Sequence, residues 1–210
     1  DGHAALLNQA RPELMVRGVA DGDALAAAAE RATVLAVGPG LGTGAWGQAL
    51  LQRCLDDDRP LVLDADGLNL LADAPRRRED WVLTPHPAEA ARLLDTDTAT
   101  VQGDRVGSAL TLAERFGAAV VLKGCGSVVA TPDGAWEICG LGNPGMSTGG
   151  SGDVLTGVVA AMRAQGHDAP AAARLGTLAH AAAGDVAARQ GERGLLALDI
   201  ANHLRDVVNG

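Results

Sequence analysis

A glycine-rich loop followed at once by a carboxylate carries the clearest chemical signal in the sequence. Gly150, Ser151 and Gly152 precede Asp153, and an apolar pattern with helical spacing then predicts a helix over Ser151–Gln165. Free N–H groups and the positive end of the helix dipole meet at such a turn, so it can bind an anion. A neighbouring carboxylate can accept the proton of a hydroxyl that attacks a phosphoryl group. The loop therefore indicates phosphoryl transfer, although an acid that only complements the helix dipole would give the same pattern.

Four short apolar segments upstream end in polar or glycine-rich motifs. The motifs are Gly38–Gly42, Asp64–Asn69, Thr84–Glu89 and Lys123–Ser127. In open α/β sheets, ligands bind beyond the C-terminal ends of the strands. The sequence therefore predicts one site at one edge of a sheet, shared with the glycine-rich loop.

The first two motifs have more than one interpretation. Gly38–Gly42 follows a predicted strand as in a dinucleotide-binding protein, but its spacing departs from G-x-G-x-x-G, and a tight turn or a wall of a substrate site fits equally. Asp66 is interpreted as the N-cap of the next helix. Asp64, at the strand end, is the better candidate for a side chain that faces a ligand.

The other two motifs supply a histidine and a lysine. Pro85 and Pro87 fix the backbone around His86, so it can present a hydrogen-bonding group to a polar ligand, although this is also an ordinary helix start. Lys123 could reach a phosphate or lie at the surface. The sequence lacks G-x-x-x-x-G-K-[ST], so a nucleotide must be held by a different architecture.

The alternation of strands and helices defines the fold class. The predicted strands are Glu13–Arg17, Thr33–Val37, Pro60–Asp64, Trp81–Thr84, Ala119–Lys123, Ser127–Thr131 and Ala135–Ile138. The predicted helices are Ala4–Gln9, Asp23–Arg31, Ala45–Asp56, Asp66–Ala72, Pro87–Leu94, Arg105–Phe116, Ser151–Gln165, Ala169–Arg189 and Ala197–Val208. Strands that are apolar on both faces indicate a three-layer α/β/α sandwich with a mostly parallel sheet, and Asp133-Gly134 predicts an antiparallel hairpin at one edge.

Composition excludes several classes of function. The net charge is −9, and there is one Phe and no Tyr, which argues against binding to nucleic acid through phosphates or stacked bases. No stretch of about 18 apolar residues occurs, so we expect no membrane span. The three cysteines are scattered, which favours a reducing, cytoplasmic location.

The motifs together resemble a known family. They are Gly38-Pro39-Gly40-Leu41-Gly42, Asp64-Ala65-Asp66-Gly67-Leu68-Asn69, Thr84-Pro85-His86-Pro87, Lys123-Gly124, Asn143-Pro144-Gly145-Met146 and Gly149-Gly150-Ser151-Gly152-Asp153-Val154-Leu155. In this order they resemble the ADP/ATP-dependent NAD(P)H-hydrate dehydratases of the ribokinase-like superfamily. The resemblance implies dehydration of the nicotinamide hydrates NADHX and NADPHX at the expense of ADP or ATP. It also implies Mg²⁺ at the phosphates, for which no protein ligand is assigned.

The resemblance also implies roles for individual residues. Asp153 is the catalytic base, and the N–H groups of Gly150, Ser151 and Gly152 hold the transferring phosphoryl group. The nucleotide side consists of Lys123, Gly124, Cys125, Gly126, Ser127 and Gly152. The hydrate side consists of Gly40, Gly42, Asp64, Asn69, His86 and Asp153. His180 and Asp185 receive no role, because packing and solvation explain them.

Several wider expectations follow from the resemblance. We expect one domain over residues 1–210 that lacks the first strand and helix of the family, and a homo-oligomer, with a tetramer favoured. An epimerase is expected as a fused domain or a partner protein. Two alternatives stay open: a ribokinase-like kinase of a small molecule such as a vitamin precursor, and a nucleotide-sensing protein without turnover.

Overall fold

The computed structural model describes residues 11–210. The predicted helix Ala4–Gln9 lies outside the described residues. The described chain forms one mixed sheet with the strand order β1 to β6. Its strands are β1 Leu35–Val37, β2 Leu61–Leu63, β3 Trp81–Leu83, β4 Ala119–Leu122, β5 Val128–Ala130 and β6 Trp136–Ile138. Strands β1 to β4 are parallel, whereas β5 and β6 are antiparallel to their neighbours, as the hairpin signal predicts.

Nine α-helices connect and cover the strands within residues 11–210. They are α1 Gly22–Ala28, α2 Ala45–Leu55, α3 Ala65–Asp73, α4 Pro87–Leu94, α5 Thr98–Gly103, α6 Arg105–Phe116, α7 Ser151–Ala164, α8 Ala169–Ala187 and α9 Ala197–Asn209. Two 3₁₀ helices, Pro144–Met146 and Ala188–Gln190, lie before α7 and after α8.

Two apolar layers enclose the sheet, as expected for strands that are apolar on both faces. On one face, Leu61, Leu63 and Leu83 join a core with side chains of α2, α3, α4 and α6. On the other face, Val62 and Val121 pack against residues of α7 and α8. The predicted three-layer α/β/α sandwich is therefore confirmed, and α9 packs outside it against α8.

The element boundaries agree with the sequence predictions except in a few segments. Each strand predicted from Thr33 onward is confirmed to within two residues at either end. The predicted strand Glu13–Arg17 is wrong: this segment is coil, and Leu14 and Met15 are exposed rather than paired or packed. Helix α5 was not predicted, although Asp97 caps it by accepting a hydrogen bond from the Thr100 N–H at 2.7 Å.

The parallel order of β1 to β4 brings the four predicted motifs to one edge of the sheet. Each strand ends at this edge, and the Lys123 N–H donates to the Pro85 carbonyl at 2.9 Å, which joins the ends of β3 and β4. Among residues 11–210, every helix is too short or too polar to cross a membrane.

Candidate active site

Helix α7 begins at the glycine-rich loop with its first turn open to a ligand. Its N-cap, Gly150, has φ of +86°, a left-handed conformation that favours glycine, and it has no side chain that could cap the helix. The first-turn N–H groups are therefore available to an anion, with one exception. The Ser151 N–H donates to the Thr148 carbonyl at 3.3 Å, so the predicted role of this group requires that bond to be given up.

Asp153 lies in the first turn of α7 with an exposed side chain. Within the described residues, no basic side chain lies within ion-pairing distance of its carboxylate. A carboxylate that is solvated and unpaired can accept a proton from a ligand hydroxyl placed beside the helix end.

The ammonium group of Lys123 lies directly beside the start of α7. A Cβ atom placed on Gly152 would be 3.1 Å from Lys123 Nζ, so any side chain there would press on the end of the lysine. Lys123 Nζ also lies 2.6 Å from Asp64 Oδ1, and the lysine side chain is 18% exposed. The structure therefore brings the end of β4 and the glycine-rich loop together, with the paired ammonium group of Lys123 beside Gly152.

Asp64 is a buried partner of Lys123 rather than a surface for ligands. Its side chain is 1% exposed, and its second oxygen, Oδ2, lies 2.7 Å from the Thr156 hydroxyl of α7. A side chain enclosed in this way does not reach a substrate directly. The prediction of a ligand-facing Asp64 is therefore corrected: the carboxylate connects β2, β4 and α7 beneath the site.

Asp66 holds the glycine-rich turn after β1. The prediction that Asp66 caps the helix is wrong, because α3 begins one residue earlier and its N-cap position is Asp64. The Asp66 carboxylate instead accepts a hydrogen bond from the Gly42 N–H at 2.7 Å. A Cβ on Gly38 would lie 1.7 Å from the Asp64 carbonyl, so the turn passes against β2 as only glycine permits.

His86 combines both interpretations made from the sequence. It is the N-cap of α4, and its Nδ1 accepts from the N–H groups of Ala88 at 3.1 Å and Glu89 at 3.3 Å. The proton of the neutral ring is therefore on Nε2, which lies 3.2 Å from Glu89 Oε1. The ring is nevertheless 47% exposed at the sheet edge, so it remains accessible to a ligand.

Glu89 is a buried acid of the site. The sequence indicates it only as an acid in the first turn of a helix. Its side chain is 6% exposed, and Oε2 accepts from the His86 N–H at 2.7 Å and lies 3.9 Å from Lys123 Nζ. Burial raises the pKa of Glu89, and the ammonium of Lys123 opposes this shift. Glu89 therefore links the histidine of one motif to the lysine of another.

The remaining predicted substrate residues lie at the edge of this cluster. Gly40 and Gly42 are exposed, both have positive φ, and a Cβ on either would meet no atom within 4 Å. Asn69 lies farther out, in a cleft of about 580 Å³ between α3 and α4, where its Oδ1 accepts from Arg92 at 2.7 Å. The described contacts do not join Asn69 to the start of α7.

The predicted nucleotide residues form a turn between β4 and β5. Gly124 and Cys125 are exposed, Gly126 is partly buried, and the Ser127 hydroxyl donates to the Gly124 carbonyl at 3.2 Å. This turn begins at Lys123 and so adjoins the start of α7.

Asp185 and His180, to which no role was assigned, support the loop that leads to α7. The Asp185 carboxylate accepts from the Gly142 N–H at 3.0 Å and from Asn143 Nδ2 at 2.9 Å, so it orders the loop. His180 Nε2 lies 3.5 Å from the Ser151 hydroxyl, and burial lowers the pKa of His180 to about 4.

Thr156 is a buried contact of the site that the sequence does not reveal. Its side chain lies within the apolar pattern of α7, where a threonine in a helix gives no signal of its own. Only the fold shows that the hydroxyl, one turn after Gly152, meets the Asp64 carboxylate.

A protein cage for a metal ion does not occur in residues 11–210. This part of the chain holds no group of three or more His, Cys, Asp or Glu side chains that could bind a metal. Mg²⁺ commonly binds through substrate phosphates and one or two carboxylates rather than an all-protein cage. The exposed carboxylate of Asp153 at the start of α7 is an oxygen ligand of the kind that Mg²⁺ takes.

Comparisons with known proteins show the family of the chain. A family model described as NAD(P)H-hydrate dehydratase matches residues 1–206. The bifunctional NAD(P)H-hydrate repair enzyme Nnr of Coxiella burnetii is 47% identical over 208 residues, which are 99% of this chain and 43% of that protein. The chain thus spans about two fifths of the length of that relative.

Solved structures resemble the fold. The ADP/ATP-dependent NAD(P)H-hydrate dehydratase of Bacillus subtilis, co-crystallized with ATP/Mg²⁺ and soaked with CoA, has a TM-score of 0.76 and 30% identity over 84% of this chain and 66% of that chain. A ribokinase-like superfamily protein of Enterococcus faecalis has a TM-score of 0.82 and 26% identity over 98% of this chain and 73% of that chain.

The sheet order, the glycine-rich start of α7 and the neighbouring lysine define a ribokinase-like α/β protein. Within this class, the family model and the Nnr relative match nearly the whole length of the chain, which identifies the particular family. The chain belongs to the NAD(P)H-hydrate dehydratase family, and the family predicted from the sequence motifs is confirmed.

Proposed function

We propose that the chain dehydrates NADHX and NADPHX to NADH and NADPH, with ADP or ATP as the phosphoryl donor. The observation that carries the proposal is the position of Lys123 Nζ, 3.1 Å from where a Cβ of Gly152 would lie, beside the free first turn of α7 and the exposed Asp153. Lys123 Nζ and the N–H groups at the start of α7 are the hydrogen-bond donors for a polyphosphate there, and Asp64 and Glu89 hold the ammonium group in place. Membership of the family supports the identity of the substrate.

The first step transfers a phosphoryl group to the hydrate. Asp153 accepts the proton of the ring hydroxyl, whose oxygen attacks the terminal phosphorus while the bond to the nucleotide breaks. The N–H groups of Gly150 and Gly152, with Lys123, stabilise the charge that develops on the transferring group. In comparable sites, each donor of this kind lowers the activation barrier by about 3–4 kcal/mol.

The second step eliminates phosphate. The lone pair of the ring nitrogen expels the phosphate from the neighbouring carbon, and the adjacent ring carbon then loses a proton to form the double bond. The phosphorylation is needed because hydroxide is a poor leaving group and phosphate is a good one. When bound, Mg²⁺ would neutralise phosphate charge, and the exposed carboxylate of Asp153 would be available to hold it.

The substrate side is proposed at the ends of β1 and β3. Gly40 and Gly42 offer an open backbone surface, and the exposed ring of His86 lies on the same edge of the sheet. Asp64 and Glu89 act beneath this surface by fixing Lys123 and His86. Asn69 is proposed to contact a distal part of the hydrate, because it lines a cleft outside the central cluster.

The proposal is tested with an Asp153→Asn variant assayed with ADP or ATP and NADHX. Loss of a general base lowers kcat by about 10²–10⁴-fold, so we expect at least a hundredfold loss in the release of NADH and phosphate. Asp23→Asn is the matched control, because Asp23 is also an exposed acid in the first turn of a helix, α1. Turnover by Asp153→Asn within tenfold of the wild type would show that the base is misassigned.

The same assay separates the alternatives. A stable phosphorylated product without NADH would identify a ribokinase-like kinase, and nucleotide binding without release of phosphate would identify a sensor.

The wider setting is proposed from the family. We infer a homo-oligomer, with a tetramer favoured, and an epimerase as a fused domain or partner that supplies the correct hydrate epimer. The bifunctional character of the Coxiella burnetii relative supports the proposal of an accompanying epimerase. A cytoplasmic location agrees with the free thiols of Cys54, Cys125 and Cys139. Light scattering and fractionation of the native protein test these points.

A further inference from the structure

The turn Lys123–Ser127 folds around the guanidinium group of Arg105. Arg105 Nη2 donates to the carbonyls of Leu122 and Gly126, each at 3.1 Å, and lies 3.5 Å from the Lys123 carbonyl. One side chain thus holds carbonyl groups from both ends of the turn. Arginine suits this role because its planar guanidinium carries five N–H donors and stays charged.

Gly124 is shaped by the same side chain. A Cβ on Gly124 would lie 2.3 Å from Arg105 Nη1, and its φ of +148° is one that residues with a side chain rarely adopt. Arg105 itself is fixed at the first position of α6, whose N-cap is Asp104, and its Nη1 lies 3.3 Å from Gln102 Oε1. The guanidinium therefore occupies the space behind the turn.

The direction of these carbonyls decides where the N–H groups of the turn point. In a planar trans peptide, the C=O and the following N–H point to opposite sides. Because the carbonyls of Lys123 and Gly126 face Arg105, the N–H groups of Gly124 and Ser127 face away from it. The positive charge behind the carbonyls also stabilises peptide dipoles that present N–H groups to an anion.

We propose that Arg105 is a positioning residue for the adenine nucleotide. It holds the turn so that the N–H groups of Gly124 and Ser127 face the nucleotide phosphates, and it does so without touching the ligand. This role rests on the proposed function, because it takes the turn as the nucleotide side of the site. It adds a residue on α6 to a site built from the ends of strands and the start of α7.

The test measures the affinity for the nucleotide and for the hydrate separately. ADP binding with Mg²⁺ is measured by calorimetry for the wild type, Arg105→Met and Arg105→Lys, and KM values for ADP and NADHX are measured beside kcat. Arg115→Met is the matched control, since Arg115 is an exposed arginine at the other end of α6. Arg105→Lys keeps the charge but loses the fork that spans two carbonyls.

A positioning role predicts a split between the two substrates. We expect Arg105→Met to raise the Kd and KM for ADP by about ten- to a hundredfold, because the turn, released from its charge-assisted hydrogen bonds, must be ordered again when ADP binds. The KM for NADHX and the Arg115→Met control should stay close to the wild type, and Arg105→Lys should restore little.

The results that would contradict the role of Arg105 differ from the result that would contradict the proposed function. Equal affinity for ADP in the wild type and Arg105→Met, or a loss confined to kcat, would overturn the role of Arg105. If Arg105→Met does not fold, unchanged affinity for ADP in Arg105→Lys would overturn it equally. A wild type that binds neither ADP nor ATP in the same measurement would refute the proposed function itself.

Discussion

Replacing Lys123 with methionine should expose how strongly the buried ion pair supports the site. Lys123→Met leaves the carboxylate of Asp64, whose side chain is 1% exposed, with the Thr156 hydroxyl at 2.7 Å as its remaining described side-chain partner. Removing one partner of a buried ion pair costs about 3–5 kcal/mol, since an uncompensated charge stays buried. This is a large part of the roughly 5–15 kcal/mol that stabilises a typical domain.

The magnitude can be measured by urea unfolding at neutral pH. With a slope of about 2–3 kcal/mol per molar urea, the midpoint of Lys123→Met should fall by about 1–2.5 M. Asp64→Asn combined with Lys123→Met removes both charges, so the double variant should be more stable than Lys123→Met alone. Arg76→Met breaks an ion pair with Asp56 that lies on the surface, and it should hardly change the midpoint.

The refuting results are equally specific. If Lys123→Met is no less stable than Arg76→Met, the buried pair does not carry the energy that its geometry indicates. If the costs of Lys123→Met and Asp64→Asn simply add in the double variant, the two side chains are not coupled. The double variant should still lack activity, because the positive charge beside Gly152 is gone.

Two further predictions concern stability. Gly38→Ala should destabilise the fold by more than about 3 kcal/mol in urea unfolding, since its Cβ would lie 1.7 Å from the Asp64 carbonyl, whereas Gly40→Ala, with open space around it, should cost only about 1–2 kcal/mol. For His180, a pKa lowered to about 4 in the fold means that the unfolded chain binds more protons between about pH 6.5 and 4, so stability falls as pH decreases through this range, by about 3 kcal/mol in total. His180→Gln should remove most of that dependence and the exposed His167→Gln should not; equal pH profiles for both variants would contradict this.

The sequence predicts the strands well because their signal is local. Runs such as Leu61–Leu63 and Trp81–Leu83 are apolar on both faces, which is how buried parallel strands appear in a sequence. Glu13–Arg17 shows the limit of the method, because apolar residues form a strand only where a neighbouring strand or a core receives them.

The sequence predicts the glycines of the site and Lys123, but it does not predict the contacts that the site residues make with one another. The proximity of Lys123 to Gly152 and the burial of Asp64 depend on how strands and helices distant in the sequence pack together. Arg105 and Thr156 carry no local signal, since each lies in an ordinary helical pattern. Such residues become visible only when the fold shows which backbone groups and carboxylates they meet.

The most direct test is a crystal structure with AMP, Mg²⁺ and a beryllium fluoride that mimics the transferring phosphoryl group. The account predicts that fluorine atoms lie about 2.7–3.1 Å from the N–H groups at the start of α7, including that of Gly152. Lys123 Nζ should contact the same group, and the Asp153 carboxylate should face the side from which the hydroxyl attacks. A fluoride group bound away from Gly152 and Asp153, with the start of α7 empty, would contradict the central claim.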